Sequence, residues 1–159
     1  MKLIFVSLMM SFFYLNVRAQ QEYLTVQIDI SDVDSNNPTD WETYIDNATL
    51  KVEYKMVNCD PNKGFDFEAI FFKITNKTGS KLEVSWHKHL YYASVCRTCD
   101  FPDEYSFDVS LGPNEIVEGD CDPQTGYHLK LFSRFNDIDH SSGDVLTAFK
   151  LDNLSVTQY

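Results

Sequence analysis

The residues of this 159-residue chain with the most chemistry to offer are its four cysteines, Cys59, Cys96, Cys99 and Cys121. Cys96-Arg-Thr-Cys99 has the spacing of a metal knuckle or a dithiol redox centre. A four-cysteine zinc site wants a second such pair, and Cys59 and Cys121 do not form one. Thioredoxin-like redox chemistry depends on a thiol at a helix N-terminus, and the following Asp100-Phe-Pro102 argues against a helix there. Four cysteines in a small exported domain are most simply two disulfides. Their pairing stays open: Cys96–Cys99 with Cys59–Cys121 is as allowed as either crossed arrangement.

Two other groups have the residue types of metal ligands. His87-Lys-His89 puts two imidazoles on one face of a strand, at a spacing that suits a transition metal. They share that face with Glu83 and Ser85 and are expected to meet solvent, without a third ligand. Asp32-Val-Asp34-Ser-Asn36 sets oxygen ligands at alternate positions, as a calcium loop does. Asn37 and Thr43 stand where an EF-hand needs glycine and glutamate, so the alternative left is an irregular calcium site over Asp32, Asp34, Asn36 and Asp40. No cofactor is otherwise expected. Gly-x-Ser-x-Gly, His-Glu-x-x-His and glycine-rich phosphate loops are lacking from the sequence, and no acidic pair is singled out as a general acid and base.

Trp41, Tyr91, Tyr92, Phe101 and Tyr105 supply the aromatics for a platform that would hold a sugar ring or a peptide, four of them flanking the Cys96–Cys99 loop. Asn47-Ala-Thr, Asn76-Lys-Thr and Asn153-Leu-Ser fit the N-glycosylation pattern and indicate surface loops.

These residues sit in a chain that reads as exported. Met1-Lys2 followed by the apolar run Leu3–Leu15 and the small residues of Val17-Arg18-Ala19 predicts a signal peptide over 1–19, too short to span a bilayer. Residues 20–159 then form one domain, secreted or periplasmic, with no membrane span. The net charge is −11; the signal carries off Lys2 and Arg18 and no acid, which leaves about −13. Such a surface repels phosphate backbones and anionic lipid, which excludes nucleic acid as a partner class.

The elements that position these residues are strands. Leu24, Val26, Ile28 and Ile30 alternate, as do Leu50, Val52, Tyr54 and Met56, and again Tyr105, Phe107, Val109 and Leu111. Trp41–Ile45 reads as a turn of helix or loop. Phe65 to Trp86 reads as one long hairpin turning on Asn76-Lys-Thr-Gly79-Ser80, with Gly79 supplying positive φ, and the second arm continues through Leu90 and Tyr92. Glu115–Glu118 is a short return strand, followed by strands over Tyr127–Phe135 and Val145–Val156. Counting strand directions brings all four sulfurs to one pole, provided that the return strand is real.

Seven to nine strands with Gly/Pro/Asn/Asp turns predict an all-β, antiparallel two-sheet sandwich. In its alternating strands and its Phe71-Phe-Lys-Ile-Thr-Asn-Lys-Thr-Gly79 turn into Leu82-Glu-Val84, the chain resembles the secreted immunoglobulin-like sandwiches. It departs from antibody-type domains, because Trp86 lies between Cys59 and Cys121 but Cys96 and Cys99 break the simple pair. That architecture implies no particular activity. The expectation is a non-enzymatic binding or structural module for a protein or carbohydrate ligand, working at the cysteine-bearing pole. The alternatives are a metal-dependent binding protein and an extracellular hydrolase.

Overall fold

The computed structural model describes residues 20–30, 40–59, 66–122, 126–136 and 145–159. The expected signal peptide, the candidate calcium ligands Asp32, Asp34 and Asn36, and the turn at Asp60–Gly64 lie outside the described residues. Two antiparallel sheets pack face to face. The first is built on β6 (Leu82–Tyr92) and β11 (Leu146–Gln158). Two strands, β1 (Gln20–Glu22) and β2 (Ile28–Asp29), share the outer side of β11; β7 (Val95–Cys96) and β8 (Ser106–Leu111) share that of β6. The second sheet is built on β4 (Leu50–Asn58) and β5 (Phe67–Asn76). Outside β4 stands β3 (Glu42–Asp46); outside β5 stand β9 (Ile116–Glu118) and β10 (Lys130–Phe135). Each sheet is four strands across, so the shorter segments fill shared positions in a two-sheet sandwich.

The alternation of apolar residues makes the core. Ile70, Phe72 and Ile74 of β5 face Leu82, Val84 and Trp86 of β6 across the interior, and all six are buried. Phe149 of β11 is the aromatic hub, its ring centroid 5.4 Å from Tyr54, 5.5 Å from Phe72 and 6.0 Å from Tyr44. The Tyr54 and Phe72 rings stand edge-on to it, a geometry that adds to the area they bury. The Tyr44 hydroxyl is satisfied in the core, donating to the Val26 carbonyl at 2.8 Å and accepting from the Leu151 amide at 3.0 Å.

The expected Phe65–Trp86 hairpin does not form. β5 and β6 are central strands of opposite sheets and do not pair with each other. Each arm has an apolar face, and both faces are buried when the arms stand across the core from one another, with other strands completing their ladders. The loop between them is therefore an arch. Asn76, 1% exposed, donates from Nδ2 to the Ser80 and Gly112 carbonyls, both at 2.7 Å. Its Oδ1 accepts from the amide and hydroxyl of Thr78, both at 2.8 Å. Gly79 does not take positive φ. A true hairpin joins β6 to β7 and turns on Ala93 and Ser94, at φ 47° and 63°. Two non-glycine residues in the left-handed region mark a tight, strained turn.

Three further expectations change. Trp41–Ile45 is not helical: Glu42–Asp46 is an edge strand. The N-terminal alternation breaks, with Leu24 and Val26 exposed while Tyr23, Ile28 and Ile30 pack on the core. The cause is in the partner strand, where β11 bulges between Asp152 and Ser155, with Asn153 at φ 51°, and offers no continuous ladder. Finally, Pro102–Tyr105 forms a one-turn helix, α1, after the Cys96–Cys99 loop. Proline suits the first helical turn, where its missing N–H has no partner to lose. No helix among the described residues is long and apolar enough to cross a membrane.

Candidate functional site: the end cleft and the histidine–cysteine face

Chain direction places the end of β4, the start of β5, the end of β6 and the start of β11 at one end of the sandwich. Here the sheets part around an open cleft of about 610 Å³. Glu68 is on its floor. It has the inward phase of Ile70 and Phe72, so the strand pattern drives a carboxylate into the interior, where it is 4% exposed. A buried charge needs partners, and β10 supplies them through a bulge between Phe132 and Arg134. The bulge brings two consecutive side chains to one carboxylate. Ser133 Oγ donates to Oε1 at 3.0 Å, and Arg134 Nη2 donates to Oε2 at 3.2 Å. Ser133 is fully buried, whereas the Arg134 side chain is 45% exposed. Met56 and Leu146 give the cleft apolar wall, and Tyr91 and Thr147 line it as well. It can hold a ligand that presents both hydrogen-bond donors and an apolar face.

A second inward charge lies on β6. Lys88 follows the phase of Val84 and Trp86, is 4% exposed, and sits 4.3 Å from the Phe107 ring. Its Nζ donates to the Tyr127 and Lys130 carbonyls at 2.7 and 3.0 Å. The carbonyls and the ring face favour the ammonium form, but burial, and next the charge on Lys130, bring its pKa down to about 7. A neutral amine still has two N–H groups, enough for both carbonyls.

On the opposite, outer face of β6 the two histidines come together with one cysteine pair. His87 is not solvent-facing: it is 5% exposed, covered by the Cys96–Cys99 loop. His87 Nε2 lies 3.0 Å from the Thr98 carbonyl, which can only accept, so this nitrogen carries the proton. In the neutral ring His87 Nδ1 is then an acceptor, and His89 Nε2 donates to it at 3.1 Å. His89 Nε2 is also 3.7 Å from Asp152 Oδ2. Burial is the largest influence on His89 and holds it below the usual histidine range, against the pull of Asp152. One ring nitrogen of His89 and the sulfurs of Cys96 and Cys99 all lie within 4.8 Å of one another. As thiolates, two sulfurs beside an imidazole suit soft and borderline cations; bonded to each other they are not ligands.

The disulfides are Cys59–Cys121 and Cys96–Cys99. The return strand β9 is present, but the four sulfurs do not form one cluster. Cys59–Cys121 packs with Ala69 and Phe71 on the outer face of the second sheet, while Cys96–Cys99 lies by the outer face of the first. Their roles differ in size. Closing a loop of sequence separation 62 contributes about 4 kcal/mol on the chain-entropy account; closing one of separation 3 contributes about 2 kcal/mol.

The five aromatics of the expected platform are spread out. Trp41 is on the outer face of the second sheet, with the ammonium groups of Lys55 and Lys73 each 4.3 Å from its ring. Tyr91 lines the cleft. Tyr92 points its hydroxyl at the Phe132 carbonyl, 3.3 Å away, and burial raises its pKa, with a smaller push from Tyr105. Phe101, 53% exposed, precedes α1, and Tyr105 ends it. Asp40, the described member of the acidic loop, is exposed. Of the three sequons, Asn76 is buried and Asn47 caps a turn through Oδ1, accepting from the Thr49 and Leu50 amides. Asn153 is exposed at the β11 bulge.

Fold and sites together define the class: an all-β two-sheet sandwich with two disulfides, a cleft at one end floored by a buried carboxylate, and a histidine–cysteine cluster on one outer face. No family model, curated protein or solved structure matches the chain.

Proposed function

We propose that the protein is an exported, non-enzymatic binding module and that its ligand, a neutral carbohydrate, sits in the end cleft. One observation carries this reading: the β10 bulge fixes Ser133 and Arg134 on the buried Glu68 carboxylate. A bulge beside a cleft is a common way to re-aim side chains at a ligand. A sugar hydroxyl donates and accepts at once, which suits a fixed carboxylate beside a half-exposed guanidinium. The strongly acidic composition favours a neutral ligand over an anionic one. Export is supported by the apolar start of the chain and by the two disulfides, bonds that persist in oxidising compartments.

The test is an unbiased glycan array with the folded protein, followed by titration of any glycan retained. Arg134→Lys, which keeps a cation beside the buried Glu68 but loses the guanidinium fork, is expected to weaken binding at least tenfold at a thermal midpoint closer to the parent's than that of Arg134→Ala, which strips the buried carboxylate of its charged partner. An array that retains no glycan, or full affinity in Arg134→Lys, overturns this reading.

A further inference from the structure

The Cys96–Cys99 bridge contributes little to chain closure, and the residues around it hold the loop in place without it. Thr98, 2% exposed, is the anchor: its hydroxyl donates to the Lys88 carbonyl at 2.6 Å and accepts the Leu90 amide at 2.9 Å. The Arg97 amide donates to the Leu90 carbonyl at 2.8 Å, and Val95–Cys96 pairs with Tyr91–Tyr92. These bonds tie Cys96, Arg97 and Thr98 to β6 independently of the disulfide. Beside them stands His89, whose Nε2 proton is directed to His87, which is itself fixed by the Thr98 carbonyl. Metal-binding histidines are held by a hydrogen bond at one ring nitrogen while the other meets the ion, so with Nε2 engaged by His87 the ligating atom of His89 is assigned to Nδ1. The Cys99 amide donates to Cys96 Sγ at 3.1 Å, a contact that favours a thiolate at that sulfur.

We propose that Cys96–Cys99 is a reducible pair, and that its dithiol form joins His89 in a three-ligand site for Zn2+. The reductant is a dithiol. One of its thiolates attacks a sulfur of the Cys96–Cys99 bridge and forms a mixed disulfide, and its second thiol resolves that bond. Two electrons and two protons pass to the protein, which gains two thiols, and the donor leaves as a cyclic disulfide. Zn2+ then displaces the two thiol protons. Two thiolates and a neutral imidazole cancel the charge of the ion and leave its fourth tetrahedral position open. Cys59–Cys121 is the harder bridge to open: Cys59 is 1% exposed, Cys121 is half-buried like Cys96 and Cys99, and the bond closes the longer loop. This site is separate from the end cleft and does not depend on the carbohydrate reading.

The test uses the full folded protein, a graded phosphine reductant and alkylation followed by peptide mass mapping. Cys96 and Cys99 are expected to become alkylated first, with Cys59–Cys121 intact and the circular dichroism unchanged. The partly reduced protein, freed of reductant, is then titrated calorimetrically with Zn2+, and with Co2+ to read thiolate coordination by absorption. One equivalent is expected to bind at least 100-fold more tightly than to the oxidised protein. His89→Ala and Cys99→Ser should each lose at least tenfold, and His87→Ala, which only orients His89, between about 10- and 100-fold. Opening of both bridges together, loss of fold on opening Cys96–Cys99 alone, equal Zn2+ affinity before and after reduction, or parental affinity in His89→Ala would each overturn the proposal.

Discussion

Glu68 and Lys88 are charged residues on the inward phase of otherwise apolar strands. That was the signal in the sequence for the cleft and for the buried amine: a charge in step with Ile70 and Phe72, or with Val84 and Trp86, cannot face water. Reading the strands by their apolar residues alone passes over it. Their partners were not legible, because Ser133 and Arg134 reach Glu68 only through a bulge, and the Tyr127 and Lys130 carbonyls belong to backbone with no side-chain signature. His87 shows the opposite error, an alternation correctly assigned to the outer face but covered by a loop. The Lys88 environment has a pH consequence. Between its folded pKa of about 7 and the ordinary lysine value, the unfolded chain binds a proton that the folded chain does not. Stability therefore rises with pH across that window and gains nothing from Lys88 below it. Urea unfolding from pH 6 to 10 should show this rise in the parent and a flatter profile in Lys88→Met. Parallel profiles would mean that the ammonium survives burial.

At the scale of elements, strand existence was legible and strand partnership was not. Period-two burial gives β4, β5, β6 and β11 directly, because apolar side chains on one face must be covered. It does not say whether two consecutive strands pair or cross, since a polar loop with Asn and Gly serves a hairpin and an arch equally well. The arch here rests on Asn76, with four hydrogen bonds from one buried amide side chain. Asn76→Ala leaves two carbonyls and the Thr78 amide without that partner and is expected to cost about 2–4 kcal/mol in urea unfolding. Gly79→Ala separates arch from hairpin. Gly79 has ordinary φ and open space around a Cβ, so the change should stay within about 0.5 kcal/mol. A loss above about 1 kcal/mol would indicate the positive φ of a hairpin glycine.

For the molecule as a whole, the two central strands divide the chemistry between an interior and two outer faces. Glu68 and Lys88 turn inward; the Cys96–Cys99 pair and the histidines lie on one outside, and Cys59–Cys121 on the other. Directional counting along the chain follows each cysteine to a strand end, but it cannot distinguish the two faces of a sandwich, and the two bridges lie on different ones. All of these placements follow from β5 and β6 standing in opposite sheets. Cross-strand nuclear Overhauser contacts in the folded protein test that most directly. Backbone contacts of Val84 with Val109 and Val156, and of Ile74 with Val52 and Val117, are the result this structure predicts. Ladder contacts running between Phe72–Ile74 and Leu82–Trp86 would contradict it, and the cleft and its buried carboxylate would have to be placed anew.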